Sequence, residues 1–276
     1  MISSNYTAIF FLFFISKFFY DTNEYIFNMK KSIPRNHPRY ESLMTREKIS
    51  EGLQRGFVHE TGLIAHGRGE AFDYLLGERT HDFSRKAMKA AAEMLLDAKH
   101  PVFSLNGNVV ALVAEESVAL SQVFPLVLEV NLFHQSEKRI QLLVNELLRV
   151  GASTVLGRQN DMHIPGLDHN RGWCEKEGIY SADVVLVPLE DGDRCQALKD
   201  MEKSVITIDL NPFSRTAKTA DITIVDNVTR AIPGLIQEIE KRKKQDMVEA
   251  VLDGWDNRKN LGEVYRFLAK RLNQME

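Results

Sequence analysis

Three short apolar runs in the C-terminal half of the chain define the pattern from which the fold is predicted. They occupy residues 184–189, 205–210 and 222–225, and each leads into a cluster of polar residues. Runs of this length between turn-forming residues are typical of strands buried in an α/β sheet. Because ligands bind at the carboxyl ends of the strands in open α/β sheets, we expect a site where these runs end.

Segments with helical periodicity alternate with strand-like runs over the rest of the chain. Helices are predicted at residues 40–57, 84–98, 115–123, 136–150, 194–201 and 231–244, with Ser84 as the N-cap of the second. Strands are predicted at 102–105, 126–133 and 153–156, and residues 109–113 are a further apolar run. The alternation predicts a Rossmann-like α/β fold: a doubly wound, mostly parallel sheet with flanking helices and a helical C-terminal tail, broken near residues 253–260.

The composition narrows the classes of function. Of the 276 residues, 44% are hydrophobic and 26% are charged, and the net charge of −3 offers no basic footprint for nucleic acid. The two cysteines, Cys174 and Cys195, are too few for a disulfide framework or a zinc site, so we expect buried, inert thiols. This cysteine usage favours a reducing compartment, and we expect a cytoplasmic protein.

Residues 1–28 differ from the rest of the chain, since they hold seven of its fifteen phenylalanines. The apolar run at 8–20 is broken by Lys17 and is shorter than the roughly 20 residues that span a bilayer. It also lacks the flanking features of a signal peptide. We therefore predict a non-native extension that precedes a true start at Met29, a single domain over 29–276 and no membrane association. A genuine membrane anchor is the alternative.

The segment at residues 62–80 carries His66 and Arg68, the latter between two glycines. Two interpretations are open: an anion site, where glycines admit a ligand to the backbone and the guanidinium binds phosphate, or a helix that packs on small residues. A dinucleotide fingerprint is excluded because Phe72 occupies its third glycine position, and this argues against a dehydrogenase. By pattern alone, Arg46 is a solvated charge of the first helix.

Polar residues follow the predicted strands at several points. Asn106 and Asn108 form either a turn or a backbone anion nest. Asp191 and Asp193, with Glu190 and Arg194 beside them, form either a Mg²⁺ site or an acidic turn that caps a helix. The later strand ends carry Asp209, Asn211 and Asn227, and Ser214, Arg215 and Thr216 are predicted to start a short basic helix. The insert at residues 157–180 is either a functional flap or an irregular loop, and its His163 and His169 are expected to be structural.

The longer motifs carry a resemblance to a known family. They are HPRY, TREK, GLIAHGRGEAFDYLLGERT, SLNGNVVALV, EVNLF, IPGLDHNRG, ADVVLVPLEDGDR and VITIDLNPFSRTAKTADITIVDN. From residue 33 to its C-terminus the chain resembles the archaeal phosphopantothenate synthetase (4-phosphopantoate–β-alanine ligase) family. The resemblance does not extend to residues 1–28.

The resemblance implies a homodimer that joins 4-phosphopantoate to β-alanine on the route to coenzyme A, with ATP converted to AMP and pyrophosphate and Mg²⁺ expected beside the phosphates. The implied ATP-binding residues are Arg46, Arg68, Asp209, Leu210, Asn211, Arg215, Thr216, Asn227 and Val228. Arg46, Arg68 and Arg215 are the expected catalytic cations. His66, Asn106, Asn108 and Arg194 are the candidates for substrate contact, and Asp191 and Asp193 for the metal. The alternative is a nucleotide-binding regulatory protein on the same fold without ligase turnover.

Overall fold

The sheet is formed by five short strands, all of them parallel. The computed structural model describes residues 33–244 and 250–274, so the prediction for residues 1–28 lies outside it. The strands of the sheet are β1 (Pro101–Leu105), β2 (Val127–Val130), β5 (Val184–Leu186), β6 (Ser204–Ile208) and β7 (Ile222–Ile224), in the spatial order β2-β1-β5-β6-β7. When the five strands of this sheet are numbered 1 to 5 along the chain, their spatial order is 2-1-3-4-5, which is found in doubly wound folds. The predicted fold class is therefore confirmed.

Helices precede, connect and follow the strands, and the one at Glu60–Leu76 is the long helix that the sequence periodicity left open. In the described residues they are α1 (Tyr40–Gln54), α2 (Glu60–Leu76), α3 (Asp82–Asp97), α4 (Gly107–Val123), α5 (Glu137–Arg149), α6 (Gly192–Asp200), α7 (Arg215–Thr219), α8 (Val228–Lys244) and α9 (Asn257–Asn273). A division between two compact units falls after Lys48, inside α1, and the second unit is Ile49–Glu276. No helix in the described part of the chain is long and apolar enough to cross a membrane.

Alternate residues of each strand fill two cores, one on each face of the sheet. On one face Phe103, Leu186 and Ile206 pack among residues of α3, α4, α5 and α8. On the other face Val185 and Val205 pack against α6 and the insert. Because both faces are covered, the strands are mostly apolar, with single buried polar residues such as Ser104 and Thr207. These mostly apolar runs made the strands recognisable in the sequence.

Both cysteines lie in the second core, as predicted. Cys174 and Cys195 are free thiols with no exposed surface. Burial raises the pKa of each thiol to about 12. At neutral pH neither is a thiolate, which is the form that reacts.

Several predicted boundaries were wrong for local physical reasons. Ser84 is not an N-cap: it lies inside α3, where its buried hydroxyl donates to the carbonyl of Val225 at 2.6 Å, and the N-cap is His81. Residues 153–156 form no strand, and only Leu156 bridges to Glu129. The chain turns away at Gly157, whose φ of 119° is a left-handed conformation that glycine adopts without strain.

Two further segments differ from their predictions. The run at 109–113 and the helix at 115–123 are one helix, α4, which bends at Val113 (φ −143°, ψ 39°). The strand predicted at 126–133 ends at Val130. The insert contains a short antiparallel pair, β3 (Met162–His163) with β4 (Trp173–Cys174).

Candidate active site

A cleft lies over the carboxyl ends of β5, β6 and β7, the edge at which the sequence predicts a site. Its empty volume, which includes solvent at its mouth, is about 770 Å³. We call it the strand-end cleft. It is lined by Ala65, His66, Arg68, Gly69, Glu70, Asn108, Leu112, Leu189, Glu190, Asp209, Leu210, Asn211, Ser214, Asn227 and Val228. It therefore brings together eight of the predicted site residues from four separate segments of the chain.

Helix α2 supplies one wall of this cleft and resolves the ambiguity of the Gly-Arg-Gly motif. The motif is not a loop: it lies within the unbroken helix Glu60–Leu76. A side-chain carbon at Gly69 would sit 3.6 Å from Leu210, which is an ordinary van der Waals distance, so this wall lies beside the end of β6 without requiring glycine. Arg68 is exposed and lines the cleft from the helix. The helical interpretation is correct, and it leaves Arg68 placed to contact an anion.

The turn after β6 holds Asp209 in a fixed position. Its Oδ1 accepts the N–H of Asn211 at 2.9 Å, and its Oδ2 accepts the hydroxyl of Ser214 at 2.6 Å. Burial raises the pKa of Asp209 above its ordinary value, although both hydrogen bonds and the positive charge of Arg68 act in the opposite direction. Ser214 also caps α7 by accepting the N–H of Ala217 at 2.9 Å. The carboxylate and the start of α7 are thus positioned by one serine.

A network of ion pairs ties α2 to the end of β7. Asp73 of α2 accepts from Arg230 Nη2 at 2.6 Å and from Asn227 Nδ2 at 3.0 Å. Arg230 also pairs with Asp226 at 2.7 Å, and Asp226 accepts the hydroxyl of Thr80 at 2.6 Å. The side chain of Asn227 is therefore committed to Asp73. It helps to hold the two walls of the strand-end cleft together.

A second buried network lies beneath the end of β5. Glu190 pairs with Arg194, which has no exposed surface, and with Arg171 Nη1 at 2.7 Å. Arg194 also donates to Ser104 of β1 at 3.2 Å. These contacts correct the expectation that Arg194 touches substrate, because its guanidinium is enclosed by protein. It positions Glu190, which does line the cleft.

The backbone at Leu189 is strained where the chain leaves β5. Its φ of 55° lies in the left-handed region, which is unfavourable for a bulky residue. The N–H of Leu189 donates to Ile208 at 3.1 Å, and the preceding carbonyl of Pro188 accepts from Asn106 at 3.1 Å. Strain of this kind persists only where surrounding contacts enforce it, and it concentrates at functional sites.

A second cleft adjoins the first, and the two share Ala65, Asn108 and Leu189. We call it the basic cleft. It has an empty volume of about 580 Å³, including solvent at its mouth. Its other lining residues are His59, Thr61, Gly62, Asn106, Gly107, Leu132, Phe133, His134, Arg139 and Arg171. A third, wider groove between α5 and the insert is lined by none of the predicted site residues.

Asn106 and Asn108 are neither a hairpin turn nor an open nest. Asn106 is the N-cap of α4, and its Oδ1 accepts the N–H groups of Asn108 and Val109. Asn108 Nδ2 donates to the carbonyl of Gly62 at 2.9 Å. Both side chains line the clefts while they fasten α4 to its neighbours.

Two of the predicted ATP-binding residues, Arg215 and Thr216 of α7, are not among the described residues that line either cleft. Arg215 starts α7 with 71% of its side chain exposed and pairs with Asp193 at 2.7 Å. Thr216 is buried, and its hydroxyl donates to the carbonyl of Glu190 at 2.9 Å. Arg46 lies on α1, within the N-terminal unit.

The acidic cluster is better described as a helix cap than as a metal site. Asp191 is the N-cap of α6 and accepts the N–H of Arg194 at 3.0 Å, while its other oxygen lies 3.3 Å from Arg171. Burial tends to raise the pKa of Asp191, but Arg171 and the Arg194 N–H outweigh it and hold the pKa below its ordinary value. Among the described residues, no group of three or more His, Cys, Asp or Glu side chains could hold a metal ion. His163 and His169 belong to no such group.

Four residues that line the clefts or hold their walls were not predicted from the sequence: Asp73, Arg139, Arg171 and Arg230. Arg171 lies in the motif IPGLDHNRG, so the motif was a signal that the insert contributes to the site. Asp73 and Arg230 are 157 residues apart in sequence, and nothing in the local pattern pairs them.

The chain matches a known protein family and several of its members. The model of the family described as phosphopantothenate/pantothenate synthetase matches residues 83–271. Two proteins named 4-phosphopantoate–β-alanine ligase are each 48% identical to this chain and cover 88% of it: that of Thermococcus kodakarensis, over 95% of its own length, and that of Methanosarcina mazei, over 96%. A third, from Methanospirillum hungatei, is 53% identical over 74% of the chain and 83% of its own length.

The protein is thus an α/β protein with a cleft at the carboxyl edge of a parallel sheet. It belongs to the phosphopantothenate/pantothenate synthetase family. The solved structure of Sir2Af2 bound to a myristoylated histone peptide matches 58% of the chain with a TM-score of 0.38 and 14% identity, which is too distant to inform the site.

Proposed function

We propose that the protein is a 4-phosphopantoate–β-alanine ligase, which condenses 4-phosphopantoate with β-alanine to give 4′-phosphopantothenate for coenzyme A synthesis. The observation that carries the proposal is the 48% identity to proteins of this name over 88% of the chain. The strand-end cleft supports it, because eight residues expected to contact ATP or substrate line one cavity. A cytoplasmic, homodimeric enzyme fits the free buried cysteines and the family resemblance.

ATP is the proposed nucleotide, and the strand-end cleft is its proposed site. Arg68 supplies a guanidinium that forks onto phosphate oxygens. Asp209 and Asn211 offer acceptors and backbone groups to the ribose or the base. Arg215 starts α7 directly after Ser214, which lines the cleft. We propose that Arg215 exchanges Asp193 for phosphate when ATP binds, since exposed ion pairs of this kind are weak, about 0–1 kcal/mol.

The proposed reaction has two steps. A carboxylate oxygen of 4-phosphopantoate attacks the α-phosphorus of ATP, and the bond between the α-phosphorus and the bridging oxygen breaks. Pyrophosphate departs, and an acyl-adenylate is formed. The amine of β-alanine then attacks the acyl carbon, AMP departs with the carbon–oxygen bonding pair, and the nitrogen releases a proton. Arg46, Arg68 and Arg215 are the proposed cations that stabilise the charge at phosphorus, and the enclosure of all substrates lowers the entropic barrier.

Magnesium is proposed to accompany ATP as part of the substrate. Mg²⁺ commonly binds through substrate phosphates, one or two carboxylates and several waters. Asp191 and Asp193, the residues predicted to hold it, are engaged by Arg171 and Arg215. They therefore do not make a ready site, and no step of the proposed reaction depends on metal ligands of the protein.

The test is a product analysis with the full chain. The protein is incubated with ATP, Mg²⁺, 4-phosphopantoate and β-alanine, and nucleotides and acyl products are resolved by chromatography and mass. AMP and phosphopantothenate should appear together, and only when every substrate is present. ADP in place of AMP would replace the adenylate with an acyl phosphate. Bound ATP without turnover would favour a regulatory nucleotide-binding protein instead.

Arg68 is the residue whose removal best tests the site. Arg68→Ala should lower turnover at least about 100-fold, the scale of a lost transition-state cation. Because Arg68 is exposed, the free energy of unfolding should change by no more than about 0.5 kcal/mol. Arg85→Ala is the matched control: Arg85 is an exposed arginine that pairs with exposed Asp82 and is not among the described residues that line the cleft. Near-normal turnover of Arg68→Ala would remove Arg68 from the mechanism.

A further inference from the structure

The turn between β6 and α7, residues 209–214, carries much of the lining of the strand-end cleft, through Asp209, Leu210, Asn211 and Ser214. Hydrogen bonds within the turn join its residues to one another. Besides the two bonds to Asp209, the N–H of Phe213 donates to Asn211 Oδ1 at 3.0 Å, and the N–H of Ser214 donates to the carbonyl of Asn211 at 3.2 Å. These bonds fix the shape of the turn, whereas its position relative to the α2 wall must be set by contacts from outside.

Tyr265 of α9 makes such contacts at the tip of the turn. Its hydroxyl donates to the carbonyl of Pro212 at 2.8 Å. Its ring is stacked on that of Phe213, with the ring centroids 4.9 Å apart and an angle of 18° between the planes. A hydrogen bond and a ring contact from one side chain act on two successive residues of the turn. Together they restrain both where the tip lies and how it is rotated.

Phe213 extends this contact to the α2 wall of the cleft. Its side chain is half exposed, and the centroid of its ring lies 6.4 Å from that of Phe72 on α2. Phe72 follows Arg68 by about one helical turn. The three aromatic rings therefore form a row from α9 through the turn to α2. This row connects the turn that carries Asp209 with the helix that carries Arg68.

Helix α9 is itself anchored to the sheet and to α7, so it can act as a support. At its start, Asn257 Oδ1 accepts the N–H of Thr223 in β7 at 2.9 Å, and Asn257 Nδ2 donates to the carbonyl of Ala217 in α7 at 2.9 Å. Further along the helix, its apolar residues are buried in one core with Leu210 of the turn. Tyr265 therefore projects to the turn from a helix whose own position is fixed by several independent contacts.

We propose that Tyr265 is a positioning residue of the nucleotide site, which holds Asp209 and Asn211 in place for ATP through the carbonyl of Pro212 and the ring of Phe213. The inference rests on the proposed assignment of ATP to the strand-end cleft. Tyr265 is not among the described residues that line that cleft, so it acts through the turn and not on the reacting atoms. A site that is correctly arranged for only part of the time binds its ligand more weakly in proportion, so loss of the support should raise the Kd for ATP.

The test measures ATP affinity by calorimetry, and steady-state kinetics by product analysis, for the wild-type chain, Tyr265→Phe and Tyr265→Leu. Phenylalanine removes only the hydroxyl, and one hydrogen bond of ordinary net strength changes an equilibrium constant roughly 2- to 12-fold. In Tyr265→Phe the Kd and the KM for ATP should therefore both rise about 5-fold. The kcat at saturating ATP and the KM for 4-phosphopantoate should change less than about 2-fold, because bound ATP restores the turn. Tyr265→Leu also loses the stacked ring, so its Kd for ATP should rise at least about 10-fold.

Glu263→Gln is the matched control on the same helix. Glu263 ties α9 to α3 by pairing with Lys86 at 2.9 Å. The variant weakens this attachment of α9 and leaves the contacts of Tyr265 in place, so its Kd for ATP should stay within about 2-fold of the wild-type value. The comparison distinguishes support of the turn from a general loosening of the helix.

The inference is overturned if Tyr265→Phe binds ATP as tightly as the wild type. It is also overturned if kcat falls while ATP affinity is unchanged, or if Glu263→Gln loses as much affinity as Tyr265→Phe. If Tyr265→Leu does not fold, Tyr265→Phe, which keeps the ring, decides alone. ATP binding without product formation would reject the ligase and leave the affinity comparison to decide the inference. A wild-type chain that binds no ATP would overturn both the ATP site and the inference.

Discussion

A buried carboxylate, Glu129 of β2, fastens the insert to the sheet and should make the stability of the protein depend on pH. Its Oε1 accepts the N–H of Glu175 at 3.0 Å and its Oε2 accepts the N–H of Ile179 at 2.6 Å. Glu129 has no exposed surface. Burial raises its pKa from 4.5 to about 7, although the two backbone hydrogen bonds and the charge of Arg194 act in the opposite direction.

The direction of the pH effect follows from this shift. Between pH 4.5 and 7 the folded protein holds a proton on Glu129 that the unfolded chain has released. The free energy of unfolding then decreases with pH, by about 1.4 kcal/mol per unit at most. The contribution of Glu129 is fully present below pH 4.5 and is lost as the pH rises through 7. From pH 5 to pH 8 the loss should be about 2.5 kcal/mol.

The assay is urea unfolding of the wild type and of Glu129→Gln at pH 5, 6, 7 and 8. Glutamine cannot ionise, so the stability difference, wild type minus variant, should shrink by about 2.5 kcal/mol over this range. The variant should be less stable at pH 5, by about 1–3 kcal/mol, because its amide NH₂ must face a backbone N–H. A difference that stays constant from pH 5 to 8 would refute the raised pKa and with it the account of Glu129.

Glu146 provides a control with the opposite shift. Hydrogen bonds from Arg149 and Arg55 lower its pKa to about 2, and they outweigh the effect of burial. Its contribution to stability is present above pH 4.5 and is lost only as the pH falls toward 2. For Glu146→Gln, the difference from the wild type should therefore not change between pH 5 and pH 8.

Two more predictions concern the buried networks and thiols. Arg230→Met leaves Asp73 and Asp226 buried without their cation. The free energy of unfolding, measured by urea titration, should therefore fall by about 3 kcal/mol. A loss below about 1 kcal/mol would show that water replaces the arginine. The thiols of Cys174 and Cys195 have pKa values of about 12, so in the native protein they should resist an aromatic disulfide reagent at pH 8. Both should react fully when the protein is unfolded in urea. Rapid labelling of the native protein would contradict their burial.

The sheet could be predicted because its strands are buried on both faces, and strands of this kind are recognised in a sequence as short, mostly apolar runs. The predicted runs at 205–210 and 222–225 correspond to β6 and β7, and polar residues from both strand ends do meet in one cleft. The boundaries that failed depended on tertiary contacts. Ser84 has the residue type of an N-cap, but its hydroxyl donates to the carbonyl of Val225, which follows β7 and lies 141 residues later.

The site was only partly accessible to sequence reasoning for the same reason. Residues such as Arg68 and Asp209 could be proposed because each belongs to a local motif at a strand end or beside glycines. The role of Arg194 could not, because its environment is set by Glu190 and by Ser104, which lies 90 residues away. A pattern locates a charged residue, whereas its partners decide whether it meets ligand or protein.

The two clefts divide charge in the way that a reaction between two anions requires. Two like charges 4 Å apart repel by about 1 kcal/mol in water and about 4 kcal/mol near a protein surface, so a carboxylate approaches an α-phosphate only where cations offset the repulsion. The strand-end cleft mixes Arg68 with Asp209 and Glu190, whereas the basic cleft is lined by Arg139 and Arg171 and by no carboxylate among the described residues. Glu190 lines the first cleft and is paired with Arg171 of the second. Deletion of the Arg171 side chain would therefore leave Glu190 without one of its two cations and would change the charge of both clefts.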